Sequence, residues 1–209
     1  MADLNALSNA LIAGDSGTLQ GLVHGALDEG VIAKEILNGG LIKGMDIVGD
    51  KMQNGDMFIP EVLMSAKAMS ASVEILKPLL SEEDASAAGR VVMGTAKGDL
   101  HDIGKNLVGM MLESAGFEII NLGTDISPDE FVAAAKENNA NMIAISALLT
   151  TTMGMMKATI EALVEAGYRD QVKVIIGGAP VNQKYADEIG ADGYAADAGS
   201  ATKLAKSLV

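Results

Sequence analysis

His101 lies in the run Gly98-Asp99-Leu100-His101-Asp102-Ile103-Gly104, with a carboxylate two residues before it and another directly after. Such an imidazole can move a proton or hold a metal. Asp99 can accept a hydrogen bond from one ring nitrogen and fix the tautomer, so that the other nitrogen faces a metal. Gly104, three residues on, leaves room for a bulky group. One histidine is too few for a zinc or iron site built by protein alone, but it suffices where a macrocycle supplies the other ligands. Two more stretches stand out: the hydroxyl-rich Ser146-Ala147-Leu148-Leu149-Thr150-Thr151-Thr152 and the Gly177-Gly178-Ala179-Pro180 turn. Each has a plain reading alone. The histidine suits an ordinary loop, and the Ser/Thr run suits loop polarity with capping of the next helix.

Composition narrows the chemistry. The 209 residues include no cysteine, which removes disulfides, thiolate zinc sites, iron–sulfur clusters and a cysteine nucleophile. His24 and His101 are the two histidines, so histidine-based metal chemistry must use one or both. A net charge of −13 with no basic stripe argues against nucleic acid. No stretch approaches the roughly 18 uninterrupted apolar residues of a membrane span, so no membrane partner is expected. The N-terminus meets an acid at once and lacks a basic leader, so a cytoplasmic location is expected.

The elements that must position these residues change character near residue 85. Before it, Leu4, Leu7 and Leu11, then Leu19, Leu22, Val23 and Ala26, recur at helical spacing. Ile32, Ile36, Met45, Val48 and Met52 continue the pattern, as do Ile59, Val62, Leu63, Ala66, Met69, Val73 and Leu76. With breaks at Ala13-Gly14-Asp15, Asp28-Glu29-Gly30 and Asn54-Gly55-Asp56, this predicts an all-α four-helix bundle over residues 1–85. His24 falls on the second helix's pattern and reads as structural. Lys77–Arg90 reads as a linker.

From residue 90 to 209, strand-like and helix-like periods alternate. Strands are expected at Arg90–Ala96, Phe117–Leu122, Asn141–Ala147, Val172–Ile176 and Gly193–Ala196. The helices between and after them start near Ile103, Pro128, Met153, Val181 and Ser200. This predicts an α/β, Rossmann-like five-stranded parallel sheet with the flavodoxin-like order 2-1-3-4-5. In that order the loops after strands 1, 3 and 4 lie side by side at the carboxyl edge, where such folds bind ligands. These are the three unusual stretches.

Asp99-x-His101-x-x-Gly104, Ser146-x-Leu148 and Gly177-Gly178, in this order and behind a helical domain, resemble the signature of cobalamin-binding domains. The resemblance spans nearly the whole chain. It is strongest to the small corrinoid proteins of methylamine, quaternary-amine and methanol methyltransferase systems, and extends to the cobalamin module of methionine synthase. It implies that His101 displaces the cofactor's own benzimidazole and binds cobalt from below, with Asp99 holding His101 and Thr152 completing a hydrogen-bond chain. Asp102, Gly104, Ser146, Thr150, Gly177, Gly178 and Ala198 would meet the cofactor and its nucleotide tail, with Leu148 as a packing surface. The segment Met45–Met52 through Met57–Pro60 resembles the family's cap, which places Met52 and Ile59 over the methyl group. Relatives can carry an aromatic residue at the Met52 position.

The resemblance further implies a non-autonomous methyl carrier that cycles between methylcob(III)alamin and cob(I)alamin. The six-ligand methylated form keeps its lower ligand and the four-ligand reduced form drops it, so a protonatable Asp–His pair can couple proton uptake to ligand release. The partners implied are a substrate-specific methyltransferase, acting on a methylated or quaternary amine or on methanol, and a second methyltransferase serving tetrahydrofolate or coenzyme M. A reductive activase is a further partner consistent with this chemistry.

Four rivals use similar folds. A phosphorylation receiver needs an aspartate where strand 3 ends and a lysine after strand 5, where this chain has Ser146 and Asp197. A flavin carrier wants stacking aromatics, and three Tyr and three Phe are few. A B12-dependent mutase subunit would not need the helical cap. A B12-binding regulator shares the loops but ordinarily carries an effector domain, and no basic recognition helix is visible.

Overall fold

The computed structural model describes residues 3–80 and 88–209. The chain forms two compact units, one helical, made mainly of the residues before Ala88, the other α/β, comprising Ala88–Glu113 and Phe117–Val209.

The helical unit opens with α1 (Leu4–Ile12) and α2 (Ser16–Asp28), each capped by an aspartate whose carboxylate accepts a backbone N–H: Asp3 from Asn5 and Asp15 from Thr18. Next comes α3 (Ala33–Glu35), a π-helical stretch (Ile36–Ile42) and α4 (Lys43–Asn54). α5 (Ile59–Leu76) follows a left-handed Gly55, with Pro60 in its first turn and the Glu61 carboxylate accepting the Phe58 N–H at 2.9 Å. The apolar stripes become the core: Leu7, Leu11, Leu19, Val23, Ile36, Val48, Val62, Ala66 and Leu76 are buried.

The third expected helix is not a uniform one, and the cause is close packing. The Ser8 hydroxyl donates to the Gly40 carbonyl at 2.7 Å, and a Cβ on Gly39 or Gly40 would come within 2.9 Å of Leu4 or 3.0 Å of Leu7. The widened turn accommodates α1 pressed against this segment, and it buries Leu37 and Leu41, which the 3.6-residue pattern left out. The expected linker is also narrower than Lys77–Arg90. Lys77–Leu79 form a 3-10 turn, residues 81–87 lie outside the described residues, and Arg90 opens the first strand.

The α/β unit contains β1 (Arg90–Thr95), α6 (Ile103–Ser114), β2 (Glu118–Asn121), α7 (Pro128–Glu137) and β3 (Met142–Ser146). It continues through α8 (Gly154–Glu165), β4 (Lys173–Gly177), α9 (Gln183–Ile189), β5 (Gly193–Ala195) and α10 (Ala198–Leu208). All strands are parallel, in the order β2-β1-β3-β4-β5. The central strands are buried nearly throughout, as a sheet covered on both faces requires. Val92, Ile143, Ile145, Val174 and Ile176 pack with Phe131, Met156, Ile160 and Leu163 of α7 and α8. The last helix starts at Ala198 rather than Ser200, because Asp197 caps it by accepting the Ser200 N–H at 2.8 Å.

Candidate functional site

Register sets the site. Thr95 pairs with Ser146, Ser146 with Gly177, and Gly177 with Ala195, so the loops after β1, β3 and β4 leave the sheet from one row. The β1 loop turns through Gly98 (φ 83) and delivers Asp99 into the interior, fully buried.

Asp99 is the hub. Its Oδ1 accepts the His101 ring Nδ1–H at 2.6 Å and the His101 backbone N–H at 3.1 Å. Its Oδ2 accepts the N–H groups of Leu148 at 2.7 Å and Leu149 at 3.1 Å, and the Thr152 hydroxyl at 2.9 Å. Burial raises the carboxyl pKa. Hydrogen bonds from the His101 ring, the Leu148 and His101 backbones and the Thr152 hydroxyl outweigh it and hold the group well below the usual carboxylate range. Asp99 is therefore an anion at neutral pH, and no proton rests on it. The Thr152 hydroxyl has a second acceptor, the Leu149 carbonyl at 2.9 Å, so its single hydrogen divides between the β3 loop and Asp99.

With Nδ1 tied to Asp99, Nε2 is the nitrogen left for coordination, on a side chain that is 53% exposed. Leu100 (73%), Leu148 (42%) and Leu149 (40%) are exposed in the same two loops, and Ile103 (85%) is exposed at the start of α6. Apolar side chains left in water around a metal-competent imidazole suit a broad, flat, largely apolar group laid over them.

The other expected residues divide. Asp102 directly precedes α6, and its carboxylate accepts the Asn106 side-chain amide at 3.0 Å. Gly104 is exposed, and a Cβ there would meet nothing within 4 Å. Ser146 ends β3, and Thr150 is exposed in the turn before α8. Gly178 (φ 129) has an explanation within the chain itself: a Cβ would come to 1.9 Å from the Ala147 carbonyl oxygen. Gly177 faces the Ala195 carbonyl, with 3.1 Å available to a Cβ. Ala198 is buried at the start of α10. Met52 on α4 and Ile59 at the start of α5 belong to the helical unit, on either side of the Gly55 turn. His24 is exposed on α2.

Three residues that sequence reasoning missed also shape the loop. The Thr95 hydroxyl, buried at the end of β1, donates to the His101 carbonyl at 2.8 Å. Asp125 accepts the Gly98 N–H at 2.7 Å. Lys105 is buried, donating to Asn106 at 2.7 Å and Asn121 at 2.8 Å. Burial pushes its ammonium pKa down, and the nearby Asp102 charge opposes this. The signals were weak in the sequence: a threonine ending a strand, an aspartate in Gly123-Thr124-Asp125, and a lysine one residue after Gly104.

Comparison with known proteins bears directly on this geometry. The B12 binding domain family matches residues 89–203, and a second B12 binding domain family matches residues 3–77. The chain belongs to the B12-binding proteins. A corrinoid protein of Desulfitobacterium hafniense is 44% identical over 100% of this chain and 98% of its own length. The dimethylamine corrinoid protein of Methanosarcina barkeri is 46% identical over 99% and 97%. Among solved structures, a cobalamin-binding protein of D. hafniense superposes with a TM-score of 0.86 at 32% identity, covering both chains fully. The methanol:cobalamin methyltransferase complex of M. barkeri matches at 0.86 and 30%, over 98% of this chain and 78% of that one.

The residues present fit the cofactor of this B12-binding family. A corrin would bring its own ring nitrogens to the metal, so a lone, buttressed imidazole would be the one donor asked of the protein. Among the described residues no three His, Cys, Asp or Glu side chains gather as a metal set, so the donor chemistry here is that of one imidazole. No helix among the described residues is long and apolar enough to cross a membrane.

Proposed function

We propose that this B12-binding protein carries methyl groups between two partner methyltransferases, with His101 Nε2 as the lower ligand of the corrinoid cobalt. The bound corrinoid supplies the metal centre that holds the methyl group, so no side-chain nucleophile is needed. The chain's own work is to present and tune the imidazole. Asp99 fixes its tautomer and raises its basicity, and Thr152 adjusts how much negative charge Asp99 offers. Leu100, Ile103, Leu148 and Leu149 form the apolar seat. Asp102, Gly104, Ser146, Thr150, Gly177, Gly178 and Ala198 line the path proposed for the nucleotide tail, and Met52 and Ile59 are the proposed shield over the methyl group. The observation that carries the reading is the 2.6 Å contact of Asp99 with His101 Nδ1, which leaves Nε2 for the metal among exposed leucines.

A methylated amine is the proposed donor, because a relative 46% identical over 99% of this chain is named a dimethylamine corrinoid protein. The second methyltransferase would pass the methyl group to tetrahydrofolate or a thiol such as coenzyme M, and a reductive activase would be needed only for cofactor lost to oxidation. The test is to load the chain with hydroxocobalamin, reduce it, and follow its visible spectrum with a methyltransferase and dimethylamine, other methylamines, betaines or methanol. Methylation that requires both the methyltransferase and an amine supports the proposal. Binding without methyl exchange with any partner overturns the carrier reading in favour of a B12 sensor.

A further inference from the structure

Among the described residues, two that are not glycine adopt a positive φ: Asn139 (φ 48) and Asp125 (φ 61). Asn139 follows the end of α7, where a left-handed residue commonly closes a helix. Asp125 closes no helix. It lies in the loop after β2, in a conformation that disfavours most side chains.

What this conformation achieves is specific. The Asp125 carboxylate accepts the Gly98 N–H at 2.7 Å, while its own N–H donates to the Asp99 carbonyl at 3.0 Å. The two bonds bracket Gly98-Asp99 from outside the β1 loop. Gly98 is itself left-handed, and Asp99 is the buried residue that orients His101. Neighbouring contacts anchor the bracket: Thr95 N–H donates to the Gly123 carbonyl and Ile126 N–H to the Thr95 carbonyl, both at 3.0 Å. The loop after β2 is thus zipped onto the end of β1, and Asp125 is the point where the zipper reaches the Asp–His pair.

We infer that Asp125 is a positioning residue for the lower cobalt ligand: by bracketing Gly98-Asp99 in a left-handed turn, it holds His101 ready to coordinate before corrinoid arrives. It touches neither metal nor corrin, and it acts through Asp99. The inference rests on His101 being the lower ligand, as proposed above. Preorganisation of this kind shows in which nitrogen binds cobalt, whereas a purely structural turn would show only in thermal stability.

The experiment uses the full chain labelled with 15N-imidazole histidine, loaded with hydroxocobalamin and reduced to cobalt(II). In electron paramagnetic resonance, a nitrogen splitting that changes with the isotope marks a histidine ligand. Asp125→Ala is expected to lower the ratio of histidine-ligated to unligated corrinoid about tenfold, the equivalent of one hydrogen bond to a carboxylate. Asp125→Asn keeps an acceptor oxygen and tolerates the left-handed turn, so it is expected to restore the wild-type pattern. Asp125→Gly relieves the backbone conformation but lacks the acceptor. It is expected to behave like Asp125→Ala, and it keeps the question answerable if the alanine variant does not fold. Wild-type splitting and affinity in both the Ala and Gly variants would overturn the inference while leaving His101 as ligand. Isotope-insensitive splitting in the wild type would overturn the ligand assignment, and this inference with it.

Discussion

A buried carboxylate that accepts five hydrogen bonds is hard to replace, even by its own amide. Asp99→Asn keeps the shape but puts an NH2 group where a charged acceptor stood. Whichever way the amide turns, it faces donors: the Leu148 and Leu149 N–H groups and the Thr152 hydroxyl on one side, or the His101 N–H and ring Nδ1–H on the other. Loss of a charged acceptor that leaves donors unsatisfied costs about 3 kcal/mol. The expected result is that much loss in urea unfolding of the cofactor-free protein, together with loss of the histidine-ligated spectrum. A stability within experimental error of wild type would show that the five bonds are not formed in solution. At this scale the sequence made the Asp99–His101 pair legible, because both residues belong to one short run. Thr95, Asp125 and the Lys105–Asn106–Asn121 cluster were not legible, because their partners are brought together by strand register and loop closure.

Elements explain which glycines serve the fold and which can serve the cofactor. Gly178→Ala would drive a Cβ into the Ala147 carbonyl at a φ of 129, so a loss of about 3 kcal/mol is expected in denaturant unfolding, before any cofactor is added. At Gly104 an added Cβ meets nothing within 4 Å, so Gly104→Leu should not destabilise the cofactor-free protein. If Gly104 faces the corrinoid, the same variant weakens hydroxocobalamin binding in a spectrophotometric titration. Unchanged binding would remove Gly104 from the site. Both glycines look alike in the sequence, since a glycine's reason for being there lies in what approaches it. Ser127-Pro128 opens α7, with Ser127 N–H donating to the Glu130 carboxylate at 2.8 Å. The Ser127 hydroxyl and backbone hydrogen bonds are the main reasons the Glu130 pKa lies below its usual value, with Lys97 adding to them against a small effect of burial. A depressed carboxylate stabilises the fold above its unfolded pKa, and that contribution fades as pH falls through the lower, folded value. A carbon-detected NMR titration should place the Glu130 midpoint below that of a free glutamate, and Ser127→Ala should move it upward. An ordinary midpoint in the wild type would refute the cap. The π-helical stretch at Ile36–Ile42 escaped the sequence, because helical periodicity assumes a constant turn and the Ser8–Gly40 contact alters it.

Across the whole molecule, scarcity makes the assignment decidable. With two histidines and no cysteine in 209 residues, a cobalt ion seeking an imidazole has two candidates. They differ in their second partners. His101 is buttressed by a buried anion, while His24 stands exposed on α2, in the helical unit. A ligand gains from a fixed tautomer and a basicity raised by its neighbour, and second partners of this kind are worth about 10–100-fold in metal affinity. His24→Ala should therefore keep both the hydroxocobalamin affinity and the histidine-nitrogen splitting of the cobalt(II) signal. His101→Ala should lose the splitting and leave the corrinoid either with its own benzimidazole attached or without a lower base. Added free imidazole should restore a nitrogen signal in the His101→Ala protein, because the seat of exposed leucines survives that substitution. If His24→Ala erased the splitting and His101→Ala preserved it, the metal would be bound in the helical unit, and the row of loops at the sheet edge would need another purpose.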